Sequence, residues 1–404
     1  MSVPRDRQPG VSDPGSKGRV AVLAAALLFN LGQGALRPTL PLFLQSIFLA
    51  NYRMVTSIPM VFGIGKWIAS VPTGYLLDRV GRRRMMGAGL LLIALCDVAS
   101  VTTSAFGVFL GLRALGGVGW AMFGTVATTT MVDLPDGRRR GRAVSSLLMS
   151  ETLGLLLGTA GGGWLYQGLG VASPFVFEAA CMLVAALTVV SLGPPDTRPA
   201  GAQQESGDRH LVTAALREPG GVLMGLTNAA LTAIQTGAVV FLVPLYMVAR
   251  GSLGPELVGL VVSLSVVGRL ATLWIGGSVS DRWGRVSVLV PGLLVYATLL
   301  GSLSFITHPV ALGAWSFASG AAAGFVAPLP AAVVGDLVSP ASRGPAIGWL
   351  RTMTDTGHIL GPPVMGALAD AVGLSTPFLF GAALLLAAAG LCASSLGKTL
   401  RETS

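Results

Sequence analysis

Apolar residues in this chain come in long blocks separated by short polar breaks. The blocks lie at roughly 20–44, 54–77, 85–104, 107–131, 143–166 and 172–193, then near 220–248, 255–280, 286–306, 309–334, 344–368 and 374–396. Runs of this length match what a helix rising about 1.5 Å per residue needs to cross ~30 Å of hydrocarbon. The pattern predicts an all-α membrane protein of twelve transmembrane helices, with both termini on one side. Residues 194–217 break it with a stretch rich in Pro, Gly, Gln and Ser that has no periodicity and reads as a linker. The expected organisation is a polar tail over 1–19, a six-helix bundle over 20–193, the linker over 194–217, a second bundle over 218–396 and a short tail over 397–404.

The two halves repeat each other. Gly74-Tyr-Leu-Leu-Asp78-Arg79-Val-Gly81-Arg82 follows the second apolar block, and Gly277-Ser-Val-Ser-Asp281-Arg282-Trp-Gly284-Arg285 follows the eighth. Asp78 and Asp281 lie 203 positions apart, about half of the 404 residues. The same offset carries Pro41 onto Pro244, Lys66 onto Arg269, Asp133 onto Asp336 and Arg140 onto Arg343. Glycine matches arise easily in a chain with 55 glycines, but matches of Asp, Pro and a basic residue do not. A duplicated membrane protein with a charged element at the membrane surface of each half points to a transporter.

Composition narrows the class further. Hydrophobic residues make up 52% and charged residues 11%, against about 25% charge in an ordinary soluble chain, so most of the surface does not face water. The net charge of +9 is distributed asymmetrically. The tails, the linker and the loops near 78–84, 133–142, 281–285 and 336–343 hold most of the 27 Lys and Arg, while the opposite loops hold Arg53 and Arg250 alone. This asymmetry predicts that the basic face is cytoplasmic, with both termini there, in a multi-pass protein of the inner (plasma) membrane. The three cysteines fall in apolar runs without CxxC spacing and read as small buried residues. No small-residue cleavage site follows the first apolar block, so that block reads as a retained span. There are no aromatic–basic stripes of the kind that bind nucleic acid, no phosphate-binding Gly-x-x-x-x-Gly-Lys-Ser/Thr loop and no His-Glu-x-x-His. An enzyme or nucleotide-driven pump is therefore not expected, and neither is a cofactor. A receptor has no need for two matching gates.

The pattern Gly-x-x-x-Asp-Arg-x-Gly-Arg between spans 2 and 3, echoed between spans 8 and 9, resembles the signature of the major facilitator superfamily. The resemblance covers essentially the whole chain after residue 19. It implies two six-helix bundles around a central cavity, alternating access by rocking of the bundles, and a monomer that carries a small-molecule substrate within the membrane lipid. Asp78, Arg79, Arg82, Asp281, Arg282 and Arg285 are then gating candidates, because acid–base pairs at helix ends can hold one side closed and release it. Arg83 and Arg84 read as lipid-headgroup anchors. In span 4, Arg113-Ala-Leu-Gly-Gly117 resembles part of a motif of proton-coupled members. Gly154, Gly158, Thr159, Gly162 and Gly163 in span 5 resemble the glycine-rich motif of drug/proton antiporters, with Thr159 where a proline is expected. Recurrence every four residues also makes these glycines a close-packing face.

An ionised residue at the centre of a membrane helix costs about 2.5–3.5 kcal/mol on insertion scales, so such residues are functional candidates. Lys66 and Arg269 each lie 12 residues before their hinge aspartate, roughly 18 Å into the membrane, and are expected to line a cavity. Asn30, Gln33 and Arg37 share a face of span 1, and Gln235 is a polar point in span 7. With Lys66 and Arg269 they form the expected substrate-binding set, with Arg37 also a candidate for the outer mouth. Proton-coupling candidates are Asp97, Arg113, Glu151, Arg351, Asp355 and His358. Arg351, Asp355 and His358 share a helical face, where Asp355 either loads a proton or forms a static pair with Arg351 while His358 bonds a backbone carbonyl. Asp97 pairs with Arg113 or Lys66, and Glu151 with a cation of span 2 or 4. Glu178 reads as interfacial. Two functions follow: proton-coupled efflux of a drug-like compound, or transport of an organic anion favoured by the excess of intramembrane cations.

Overall fold

The computed structural model describes residues 14–132, 137–194, 219–337 and 343–402. Within them the chain forms α1 (Pro14–Phe48), α2 (Tyr52–Val80), α3 (Arg82–Thr102), α4 (Phe106–Val132), α5 (Gly137–Leu169) and α6 (Ser173–Leu192). In the second half, α7 is continuous through Pro219–Ala233, a π-helical stretch Ile234–Leu242 and Val243–Ala249. It is followed by α8 (Pro255–Trp283), α9 (Arg285–Ser302), α10 (Pro309–Val326 with Leu329–Leu337), α11 (Arg343–Val372) and α12 (Thr376–Glu402). Among the described residues, ten helices are long and apolar enough to span a membrane. The linker over 194–217 lies almost wholly outside the described residues, as does most of the N-terminal tail.

The helices pack as two bundles with matching neighbours. α1 packs on α5 and α6, α2 on α4, and α3 on α4 and α6; in the second half α7 packs on α11, α8 on α10, and α9 on α12. The glycine face of α5 makes the α1 seam possible. A Cβ at Gly154, Gly158 or Gly162 would strike the backbone carbonyl of Leu27, Leu31 or Ala35. Backbones this close replace the hydrophobic drive that is weak inside lipid. The repeated motif also has a backbone reason. Gly81 and Gly284 turn the chain between α2 and α3 and between α8 and α9 at φ of 92° and 90°, a region that side chains disfavour, and their N–H groups cap Leu77 and Ser280.

α1 runs unbroken past Pro38 and Pro41 to Phe48, with the Thr39 hydroxyl bonded to the carbonyls of Ala35 and Leu36. In α7 the wide turn ends where Pro244, which has no N–H, begins the last stretch; the Val243 N–H bonds Ala238 five residues back.

The bundles meet at the end opposite the basic loops, chiefly through α5 on α8 and α2 on α11. A Cβ at Gly163 would strike the carbonyl of Pro255, and one at Gly366 the hydroxyl of Thr56. The free N–H groups of Tyr52, Arg53 and Met54 in the first turn of α2 are satisfied there. Asn51 serves Met54 by its side chain (2.9 Å) and Val55 by its carbonyl (3.0 Å), while the Asp370 carboxylate of α11 accepts from Tyr52 (2.9 Å) and Arg53 (3.0 Å). At the basic end Arg285 pairs with Asp281 and Asp336, all three in the second bundle.

Candidate functional site

A cavity of about 480 Å³ lies between the bundles. α1 contributes Gln33 and Arg37, α2 Phe62 and Lys66, and α4 Arg113 and Trp120. From the second half come Asn228, Thr232, Gln235 and Thr236 of α7, Arg269 of α8, Tyr296 of α9, and Thr354, Asp355 and His358 of α11. The two cations that occupy equivalent positions in the repeat, Lys66 and Arg269, thus line one chamber. Arg37 joins them rather than an outer mouth, because the bundles close over that end of α1.

The charges are arranged unequally. Lys66 Nζ lies 3.9 Å from Asp355 Oδ1 across the two bundles and 4.3 Å from the centre of the Trp120 ring. Arg37 and Arg269 have no carboxylate partner among the described residues. Arg113 is neutralised by Asp97, with Nη2 2.6 Å from Oδ1 and 3.0 Å from the Ser100 hydroxyl, and its guanidinium lies over Phe109 and Phe175. The cavity wall therefore presents Arg37, Lys66 and Arg269 against Asp355 alone. Neutral groups complete it. Asn228 donates to Thr354 Oγ1 (2.6 Å), Tyr296 donates weakly to Gln235 (3.4 Å), and Trp120, Phe62 and Phe241 supply aromatic surface.

Several expectations change. Glu178 is fully buried and accepts a hydrogen bond from Gln33, so it is not interfacial. Its position near the start of α6 is compatible with either surroundings, and the close packing of α6 on α1 and α3 decides. Asp97 pairs with Arg113, not Lys66. Asp355 faces Lys66, while Arg351 is exposed one turn nearer the basic end and does not line the cavity. His358 Nδ1 lies 3.1 Å from the Thr354 carbonyl. Asn30 bonds the Ala26 carbonyl of its own helix and stays out of the cavity wall. Glu151 makes no ion pair among the described residues, since α5 packs chiefly on α1 and α8 rather than beside the cations of α2. Of the hinge groups, Arg285 holds Asp281 and also Asp336 (3.1 Å), its neighbour from α10. Arg79 and Arg282 are exposed and Arg82 is partly buried, while the side chain of Asp78 lies outside the described residues.

Sequence reasoning missed Trp120, Phe62, Asn228, Thr232, Thr236, Tyr296 and Thr354. Asn228, Thr232, Gln235 and Thr236 recur at helical spacing on α7, a polar stripe that carried the signal.

Two helix bundles of matching topology around a charged chamber sunk in a membrane protein define a solute transporter rather than an enzyme. The profile of the Major Facilitator Superfamily matches residues 22–254 and 229–402, and the chain belongs to that family. Multidrug resistance protein MdtG of Klebsiella pneumoniae (strain 342) is 25% identical over 377 residues, covering 91% of this chain and 90% of that protein. Multidrug resistance protein 2 of Bacillus subtilis (strain 168) is 29% identical over 171 residues, 42% of each chain. Among solved structures, the nucleoside transporter NupG superposes with a TM-score of 0.77 at 14% identity, covering 93% of this chain and 98% of that one. A bacterial homologue of the human lysosomal transporter Spinster, inward-facing and unoccupied, gives 0.74 at 13% identity over 95% of both chains. At these identities the structural likeness concerns the fold.

Proposed function

We propose that this protein is a proton-coupled exporter of drug-like organic compounds, and that the compounds it favours carry a negative charge on an aromatic body. The carrying observation is the cavity wall, where Lys66 is paired with Asp355 and Arg37 and Arg269 are left with no carboxylate partner among the described residues. A site with surplus positive charge and low-dielectric walls concentrates anions and repels cations. Trp120, Phe62 and Phe241 offer ring surface for the apolar part. The relatives named as multidrug resistance proteins support efflux of drug-like compounds, and the basic loops support a cytoplasmic placement of that end. On that orientation the cavity, closed where α2 meets α11 and α5 meets α8, serves the cytoplasm.

The ion pair inside the cavity supplies the first mechanical step. At 3.9 Å and with both side chains about a quarter exposed, Lys66 and Asp355 make a loose contact that an incoming anion can replace. The anion takes Lys66 and the free guanidinium groups, and the link between α2 and α11 at mid-depth is released. The bundles can then rock about the substrate. The hinge groups Asp281, Arg285 and Asp336 hold the basic end of the second bundle together while it moves as a unit.

Calorimetry with two probes of the same body and opposite charge tests this reading. Naphthalenesulfonate is expected to bind the purified protein, and Arg37→Gln and Arg269→Gln are each expected to weaken it about tenfold. Tighter binding of naphthylmethylammonium overturns the proposal. Proteoliposomes with an acidic lumen are expected to accumulate naphthalenesulfonate in exchange for protons.

A further inference from the structure

Beside the cavity, inside the first bundle, two carboxylates share one cation. Asp97 of α3 and Glu178 of α6 are both 0% exposed, and Arg113 of α4 is 5% exposed. Arg113 is committed to Asp97 through the 2.6 Å pair. Glu178 has only the neutral amide of Gln33, which donates to Oε1. Glu178 Oε2 and Asp97 Oδ2 are buried with no hydrogen-bond partner among the described residues. α1 packs closely on α6 here, and a Cβ at Gly32 would lie 3.0 Å from the Glu178 Cα.

With both acids ionised, this buried cluster would hold one uncompensated negative charge. Burial selects against that state, and a buried acid of this kind keeps its proton instead. Asp97 has the guanidinium and is the ionised member, which leaves Glu178 as the proton holder. The groups facing Glu178 agree with this assignment. α3 presents Asp97 and α4 presents Arg113; α1 presents the uncharged Gln33; Cys181 is its neighbour on α6; and α5 brings no titratable side chain to it.

Gln33 is also part of the cavity wall. We propose that Glu178 carries the exchangeable proton of the transport cycle and that Gln33 is the positioning residue that links it to substrate in the cavity. This rests on the proton-coupled reading above and adds to it the site of the proton. A substrate that draws the Gln33 amide toward itself uncovers Glu178. The O–H bond then breaks, its electrons stay on the carboxylate, and the proton passes to cavity water on the cytoplasmic side. In the opposite-facing state the carboxylate takes a proton back from water of the outer compartment.

Infrared spectroscopy of the purified protein in a maltoside detergent, which has no carbonyl group, tests this directly. The wild type at neutral pH is expected to show a protonated carboxylic-acid C=O stretch, and Glu178→Gln is expected to lose it. In the wild type, naphthalenesulfonate at saturating concentration, which has no carbonyl of its own, is expected to diminish the band. A band that survives Glu178→Gln, or one that saturating probe leaves unchanged, overturns the assignment. A structural role alone would not move this signal. In proteoliposomes, Glu178→Gln is expected to lose the dependence of probe accumulation on lumenal acidity, and a dependence equal to wild type overturns the assignment as well. If the infrared results hold while wild-type transport ignores the proton gradient, the proton-driven reading falls and the buried proton on Glu178 stands.

Discussion

Lys66 holds two contacts at once, a carboxylate on the other bundle and the face of Trp120 on its own. An ammonium on a flexible stem suits this double duty, because it can turn from one partner to another without a fixed fork of donors. Replacing it by Gln removes both attractions and takes from Asp355 its ion-pair partner. Lys66→Gln is expected to weaken naphthalenesulfonate binding about tenfold, near 1.4 kcal/mol, by calorimetry. Arg351→Gln, exposed and outside the wall, is expected to change it by about twofold or less. Equal losses in the two variants would remove the cavity cations from recognition. Lys66 and Arg269 were legible in the sequence because a charge at mid-membrane needs a reason and the repeat supplied the same reason twice. Glu178 was not legible, since a carboxylate near the start of a span can face headgroups or a bundle interior, and only the packing of α6 on α1 and α3 distinguishes them.

At the level of helices, the α1–α5 seam is set by which glycines face the neighbour. Gly158 abuts Leu31, and a Cβ there would lie 2.8 Å from the Ala35 nitrogen, whereas Gly161, three residues on, has nothing within 4 Å. The same one-methyl change therefore has opposite outcomes. Gly158→Ala forces the helices apart and is expected to cost about 1–3 kcal/mol, read as a lower thermal midpoint of the purified protein. Gly161→Ala is expected to leave that midpoint unchanged or raise it, because it also lowers the entropy of the unfolded chain. Similar midpoints for the two would mean that the seam tolerates separation. The four-residue recurrence made this face readable in advance. The π-helical stretch of α7 was not readable, although it turns Gln235 and Thr236 toward the cavity, because a widened turn changes no hydrophobic period that a sequence displays. Its one local sign is Pro244, whose partner across the repeat, Pro41, sits in a helix with no such stretch.

For the molecule as a whole, the closed end is held by a helix terminus borrowed across the interface. α2 satisfies the free N–H of Met54 from the Asn51 side chain nearby, and those of Tyr52 and Arg53 from Asp370, on α11 of the opposite bundle. Arg53 adds a longer contact to the same carboxylate, at 3.8 Å. Rocking the bundles open at this end must hand the Tyr52 and Arg53 N–H groups to water. Water accepts them readily, so the latch favours closure without locking it. A helix-capping carboxylate is worth about 0.5–2 kcal/mol. Loss of ~1.4 kcal/mol multiplies the ratio of outward-open to closed molecules about tenfold. Asp370→Ala is thus expected to shift the equilibrium toward the outward-open form. Spin labels at Leu49→Cys and Val372→Cys, exposed positions on opposite sides of the contact, report it by electron–electron resonance. Longer distances are expected to gain population in Asp370→Ala, and a background of buried native cysteines keeps the labels specific. Unchanged distances would mean that the α5–α8 contact alone keeps this end shut. The same variant separates latch from cavity, because Asp370 does not line the chamber: probe binding to the closed form should be retained, while turnover in proteoliposomes changes with the shifted equilibrium.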